Sequence, residues 1–204
     1  GESLPGELSP GELEPKAATS EAPAVFFLAG LKGYLEPCGC TADVLLGGID
    51  RIVGYVRAAR RLYPDVAMVD GGDLSFEFAD LEEHVVPHAK AQADVIATAQ
   101  KRLGTQITVP GERDFALGTD FYLSHLEKAG IEPIGGNLTI NGETLPSEKI
   151  LSVGELDVRF VAYVQPDLYE GIEGVEAVRE PWMESDKPAM RVDEGKQADV
   201  TVLL

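Results

Sequence analysis

Cysteine is nearly missing from this chain: Cys38 and Cys40 are the only two in 204 residues. With Gly39 alone between them they cannot staple distant parts of a fold, so a disulfide scaffold is excluded and the pair is left for chemistry or a ligand. Basic residues are also scarce, 17 against 35 acidic ones, for a formal charge of -18. A field of that sign repels nucleic acid and anionic membrane, both of which need a basic footprint. No apolar run reaches the length that spans a bilayer, and the first residues form neither a basic nor an apolar leader region. An exported chain of this kind is expected to have shed its signal. A chain of this length suits one sizeable core, and nothing in the composition demands a second.

What is present begins with a repeated phrase. Residues 1–23 contain Pro5-Gly6-Glu7-Leu8 followed by Pro10-Gly11-Glu12-Leu13 and carry no aromatic side chain. Such a segment buries too little apolar surface to order itself and reads as a tether. The other reading is a tail held by a partner surface, with further protein subunits as the partners. The domain proper is expected over residues 24–204.

From Ala24 the pattern becomes regular. Val25-Phe26-Phe27-Leu28 predicts a short buried strand, followed by a turn punctuated by Gly30 and Gly33. After Gly47-Gly48, apolar residues recur at helical spacing from Ile49 to Leu62, with Arg51, Arg57, Arg60 and Arg61 mainly on the other side. Val66-Ala67-Met68-Val69 predicts a second buried strand ending in Asp70-Gly71-Gly72-Asp73, and a helix is expected from about Glu82 to Leu103. A third strand at 106–109 runs into Pro110-Gly111-Glu112-Arg113-Asp114. A third helix capped by Thr119 or Asp120 ends near Gly130. Strand, loop and helix repeated in this way give parallel pairing, with ligand loops at the carboxyl ends of the strands. Beyond Asn137 the texture changes. Asn141-Gly142 marks a hairpin turn, Leu156, Val158 and Phe160 alternate with charged neighbours, and Asp199 to Leu204 predicts another buried strand.

The run Gly33-Tyr34-Leu35-Glu36-Pro37, the Gly47-Gly48 helix start, the strand end Gly71-Gly72-Asp73 and the Gly111-centred loop together resemble the 5′-nucleotidase branch of the calcineurin-like metallophosphoesterases. The resemblance implies an α/β fold, a four-layer α/β/β/α sandwich, with the family's C-terminal part falling beyond Leu204. Enzymes of that family carry Asp-x-His after the first strand, Gly-Asp after the second and Gly-Asn-His-Glu or Gly-Asn-His-Asp after the third. These ligands hold two metal ions that clamp phosphate and activate water. In this chain the first pair falls on Gly30 and Lys32, the aspartate on Asp73, and the Asn-His pair on Glu112 and Arg113. Only Asp73 is an intact ligand. A narrower resemblance, carried by the run Gly33-Tyr34-Leu35-Glu36-Pro37-Cys38-Gly39-Cys40 and by Gly111 to Gly118, is to a bacterial subgroup described as UshA-like (seleno)proteins. It implies an extracytoplasmic location, with which a lipid anchor upstream is compatible, and soft-ligand or redox chemistry at the cysteines.

Several candidate sites follow from the residues themselves. Cys38 and Cys40 can hold one soft metal ion, form a strained disulfide or exchange thiols; the alternative is two structural thiols. His84 and His88 are four apart in the expected helix, the spacing of a two-histidine clamp. If that segment folds over the cysteine loop, Cys38, Cys40, His84 and His88 make a tetrahedral set suited to zinc or copper; otherwise the histidines simply face solvent. Asp70 and Asp73 can hold a hard cation or accept backbone N–H groups from their own loop. The Arg113 cation placed near Asp73, within Glu112-Arg113-Asp114, would replace the missing metal charge. Trp182 reads as a loop anchor and His125 as a helix-surface residue.

Three functional readings stand on this sequence. One is a non-catalytic phosphoesterase-like subunit or accessory of a larger extracytoplasmic assembly. Another is a thiol redox or soft-metal protein using Cys38 and Cys40. The last is a divergent metal-dependent phosphoesterase with a mononuclear site at Asp73 and Glu112.

Overall fold

The computed structural model describes residues 22–37, 47–180 and 197–204. The repeated N-terminal phrase, Cys38, Cys40 and Trp182 lie outside the described residues.

Four strands, β1 (Ala24–Leu28), β2 (Val66–Asp70), β3 (Thr105–Thr108) and β4 (Glu132–Pro133), pair in parallel in their sequence order. The helices α1 (Ile49–Leu62), α2 (Val86–Leu103) and α3 (Thr119–Ala129) make the crossovers between them. The unbroken apolar run of β2 requires cover on both faces, and it has it. Val66 and Met68 pack with Val56 of α1 and with Ile96 and Leu103 of α2. Ala67 and Val69 turn the other way, into a larger cluster that contains Leu151, Val158 and Phe160. Each fully buried aliphatic side chain of this kind contributes about 1.5–3 kcal/mol.

The second half is built from β5 (Leu138–Ile140), β6 (Glu143–Thr144), β7 (Glu148–Val153), β8 (Leu156–Val161), β9 (Val175–Ala177) and β10 (Val200–Leu203). They form two three-stranded sheets, ordered β10-β8-β7 and β6-β5-β9. β7 and β8 are antiparallel, and Asn141-Gly142 joins β5 to β6 as the hairpin turn that its sequence predicts. Among the described residues the layers are therefore helices, parallel sheet and β10-β8-β7 sheet.

Several local expectations are corrected. β1 is not buried: it is the edge of the parallel sheet, and Phe27 is 53% exposed. β10 is likewise an edge, pairing with β8 alone among the described residues and leaving Val200 and Leu203 exposed. α2 begins at Val86 rather than Glu82, because Pro87 has no N–H and is tolerated only in a first turn. Neither Thr119 nor Asp120 caps α3. Gly118 holds that position, while the Thr119 hydroxyl donates to Asn141 Oδ1 (2.9 Å) and Asp120 accepts from Asn141 Nδ2 (3.1 Å), tying the helix start to the β5–β6 hairpin. His125 is not on the surface but 6% exposed, stacked on Phe121, because that face of α3 packs on α2. Arg159 is also buried, 3.6 Å from Glu148 across the β7–β8 pair, which interrupts the expected alternation of β8.

Candidate functional site

The carboxyl ends of β1, β2 and β3 meet in a cleft of about 350 Å³, lined by Gly30, Gly71, Asp73, Gly111, Glu112 and Tyr169 among others. Its walls are loops joined backbone to backbone. Gly30 donates to the carbonyl of Gly72 (2.9 Å), Lys32 to that of Asp73 (2.8 Å) and Gly33 to that of Leu74 (3.0 Å). The loop after β2 is pressed against the loop after β3 closely enough that a Cβ on Gly72 would lie 2.4 Å from the Val109 oxygen and 2.6 Å from the Gly111 nitrogen. A Cβ on Gly111 would lie 2.3 Å from Asp73 Oδ1. Both glycines are thus demanded by close approach.

Asp114 holds this arrangement from beneath. It sits in a short 3-10 turn, Glu112–Phe115, and its buried carboxylate accepts N–H groups from Asp73 (3.0 Å), Leu74 (2.8 Å), Gly111 (2.9 Å) and, more weakly, Ser75 (3.4 Å). Asp70, at the end of β2, is also buried and accepts from Gly72 N–H (3.1 Å) and the Thr108 hydroxyl (2.6 Å). Burial pushes Asp70 up to about 7 and Asp114 up to about 6, against the hydrogen bonds that favour their charged forms. Burial raises the Tyr122 phenol beside them well above its ordinary range.

Asp73 faces the cleft itself. It is a non-glycine residue at φ 53, in the left-handed region, held there by its bonds to the neighbouring loops. Its Oδ1 accepts the backbone N–H of Arg113 (3.2 Å), and its Oδ2 lies 3.7 Å from Arg113 Nε. The same guanidinium nitrogen lies 3.5 Å from Glu112 Oε1. Burial raises Asp73 above the usual carboxylate value; the Arg113 amide and then its cation, with Lys32 adding a smaller pull, work in the opposite direction. Arg113 therefore sits between two carboxylates, where a cation offsets their mutual repulsion.

A pair of metal ions needs several anionic or imidazole donors converging on each ion. At the positions that the family pattern would use, Gly30 offers no donor, and Lys32 and Arg113 each bring a positive charge. Among the described residues no group of three or more His, Cys, Asp or Glu side chains is placed to hold a metal ion. The described residues do not fit a dinuclear centre.

The structure brings Gly30, Lys32, Asp73, Glu112 and Arg113 to one end of the parallel sheet. It does not place His84 and His88 on one helical face, since His84 precedes α2, is exposed and pairs with Glu82 at 3.2 Å. His88 is exposed in the first turn of α2. The segment with Cys38 and Cys40 leaves at Pro37 and returns at Gly47-Gly48, and Gly48 abuts Glu36 and Pro37. Two residues have roles in shaping the site that sequence reasoning misses. Asp114 suggests an ion pair by its neighbours in the chain but serves as a backbone acceptor, and the Tyr169 hydroxyl donates to the Pro110 carbonyl across the cleft wall.

No family model matches the sequence, and no curated protein matches it. Solved structures do. A 5′-nucleotidase precursor from Thermus thermophilus superposes with a TM-score of 0.61 at 18% identity, over 78% of this chain and 32% of its own. The NAD nucleotidase of Haemophilus influenzae gives 0.61 at 14%, over 76% and 29%. The calcineurin-like phosphoesterase YfkN from Bacillus subtilis gives 0.54 at 18%, over 75% and 53%. The chain thus spans about a third of the length of the two nucleotidases. In fold, this chain is similar to the 5′-nucleotidases and calcineurin-like phosphoesterases.

Proposed function

We propose that this domain is a non-catalytic module on a phosphoesterase fold, working outside the cytoplasm as a subunit or accessory of a larger protein assembly. The observation that carries the reading is the Arg113 guanidinium, 3.5 Å from Glu112 and 3.7 Å from Asp73. It supplies positive charge where the resemblance implies metal ions, and it keeps the cleft together without them. An arginine neutralises carboxylates, but it does not lower the pKa of a water molecule as a divalent ion does, so among the described residues the attacking hydroxide of a phosphoesterase has no metal-bound source. One structural neighbour is named as a precursor, which suits an exported relative.

The test is hydrolysis of p-nitrophenyl phosphate in added manganese. The reading expects no turnover above buffer, and the same baseline for Asp73→Ala. Manganese-dependent turnover that Asp73→Ala abolishes would refute it.

A further inference from the structure

A second cavity, of about 440 Å³, runs between α1 and α2, away from the cleft. Its floor is apolar, made by Val53, Val95, Ala99 and Leu103, and Val95 is 50% exposed. Its rim is basic: Arg57 and Arg60 from the last turns of α1, and Arg102 from the end of α2. Arg60 is committed to the Leu103 carbonyl, but among the described residues Arg57 and Arg102 have no carboxylate within ion-pair distance. Asp94 is the acidic residue in the lining, and it lies 3.1 Å from Lys128 and 3.5 Å from His125. In a chain of formal charge -18, three arginines around an exposed apolar floor select an acidic, leucine-bearing peptide.

Such a peptide is at hand in the chain itself. Residues 1–21 contain Glu2, Glu7, Glu12, Glu14 and Glu21 against Lys16 alone, five negative charges to one positive, and the two Pro-Gly-Glu-Leu phrases place Leu8 and Leu13 each directly after a glutamate. At about 3.1 Å per residue, an extended Pro-bearing chain would set leucines five positions apart about 15 Å from one another. The helical floor from Val95 to Leu103 spans about 12 Å at 1.5 Å per residue. The point of attachment is also close. Ala24 donates to the carbonyl of Asp65, just past the C-terminus of α1, so residue 22 enters at the end of the helix pair that carries Arg57 and Arg60. The eight residues between Leu13 and Ala22 reach at most about 29 Å, and a link of that length gives an effective concentration in the millimolar range.

We propose that the acidic N-terminal segment of this chain docks in the arginine-rimmed groove between α1 and α2, with Leu8 and Leu13 on the apolar floor and Glu7 and Glu12 toward Arg57 and Arg102. The segment that reads as a tether or a partner-binding tail is thereby a ligand of its own domain. This inference is independent of whether the cleft is catalytic.

The experiment uses the full chain with a benzophenone amino acid in place of Leu8 or Leu13. On irradiation, cross-links are expected within one chain, to peptides covering 53–60 and 95–103. The yield should fall several-fold in the double variant Arg57→Glu/Arg102→Glu, whose side chains make no ion pair to lose among the described residues, and recover when Glu7→Arg/Glu12→Arg is added. Circular dichroism of each variant checks that the fold is kept. Cross-links to a second chain, to other parts of the fold, or in yields indifferent to both charge reversals would overturn the proposal.

Discussion

Asp73 and Arg113 are held at 3.7 Å, with the arginine 28% and the aspartate 21% exposed in their side chains. At that degree of burial the pair is only partly screened, so removing the cation leaves a carboxylate that burial already disfavours in its charged form. Arg113→Ala is expected to raise the Asp73 pKa further, because its amide still donates but its charge is gone. A carboxyl-carbon NMR titration of Asp73 in both proteins reads this directly; an unchanged or lowered value would mean that the guanidinium does not neutralise Asp73. That Gly30, Lys32, Asp73, Glu112 and Arg113 fall on loops at the strand ends was legible in the sequence, since the loops follow directly from the strand pattern. The role of Asp114 was not. An aspartate beside an arginine invites an ion-pair reading, and only the folded loops show its oxygens turned to the amides of Asp73, Leu74 and Gly111.

Among the elements, the loops after β2 and β3 behave as one unit, since Asp114 accepts from both and Gly72 touches Val109 and Gly111. Gly72 has φ 92 and no room for a Cβ. Gly72→Ala should therefore cost about 3 kcal/mol or more through backbone strain and collision. The loss would appear as a lowered midpoint in urea with little change in slope. A variant as stable as the parent would show that the two loops are not tightly joined. The parallel strands and their helices were readable because β2 is a continuous apolar run and α1 keeps its helical spacing. What sequence patterning missed were the edges. The runs of β1 and β10 are as apolar as that of β2, and the pairing order, which sequence does not fix, decides which strand has a neighbour on each side. Similarly, the start of α2 depended on Pro87, and the start of α3 on the hairpin that engages Thr119 and Asp120.

For the molecule as a whole, the buried carboxyls set the pH dependence of stability. Asp70, pushed up to about 7 by burial, binds its proton more tightly when folded than when unfolded. Its contribution is therefore most favourable below the unfolded value near 4 and is lost as pH rises to about 7, where the folded group ionises. Asp114 acts in the same direction, up to about 6. Asp70→Asn removes the titration while keeping an acceptor for Gly72 and Thr108. Relative to the parent it should gain on the order of 2 kcal/mol between pH 5 and pH 8, measured by urea unfolding at each pH. A stability difference that does not change with pH would place the burden elsewhere. The described helices include none long and apolar enough to cross a membrane.

The central claim is that the cleft around Asp73 has exchanged its metal ions for side-chain cations. Equilibrium dialysis of the purified chain against manganese, with bound metal counted by mass spectrometry and Asp73→Ala as control, tests it most directly. The account predicts the same low, non-stoichiometric manganese content in both proteins. Two ions per chain in the parent, lost on replacing Asp73, would contradict it.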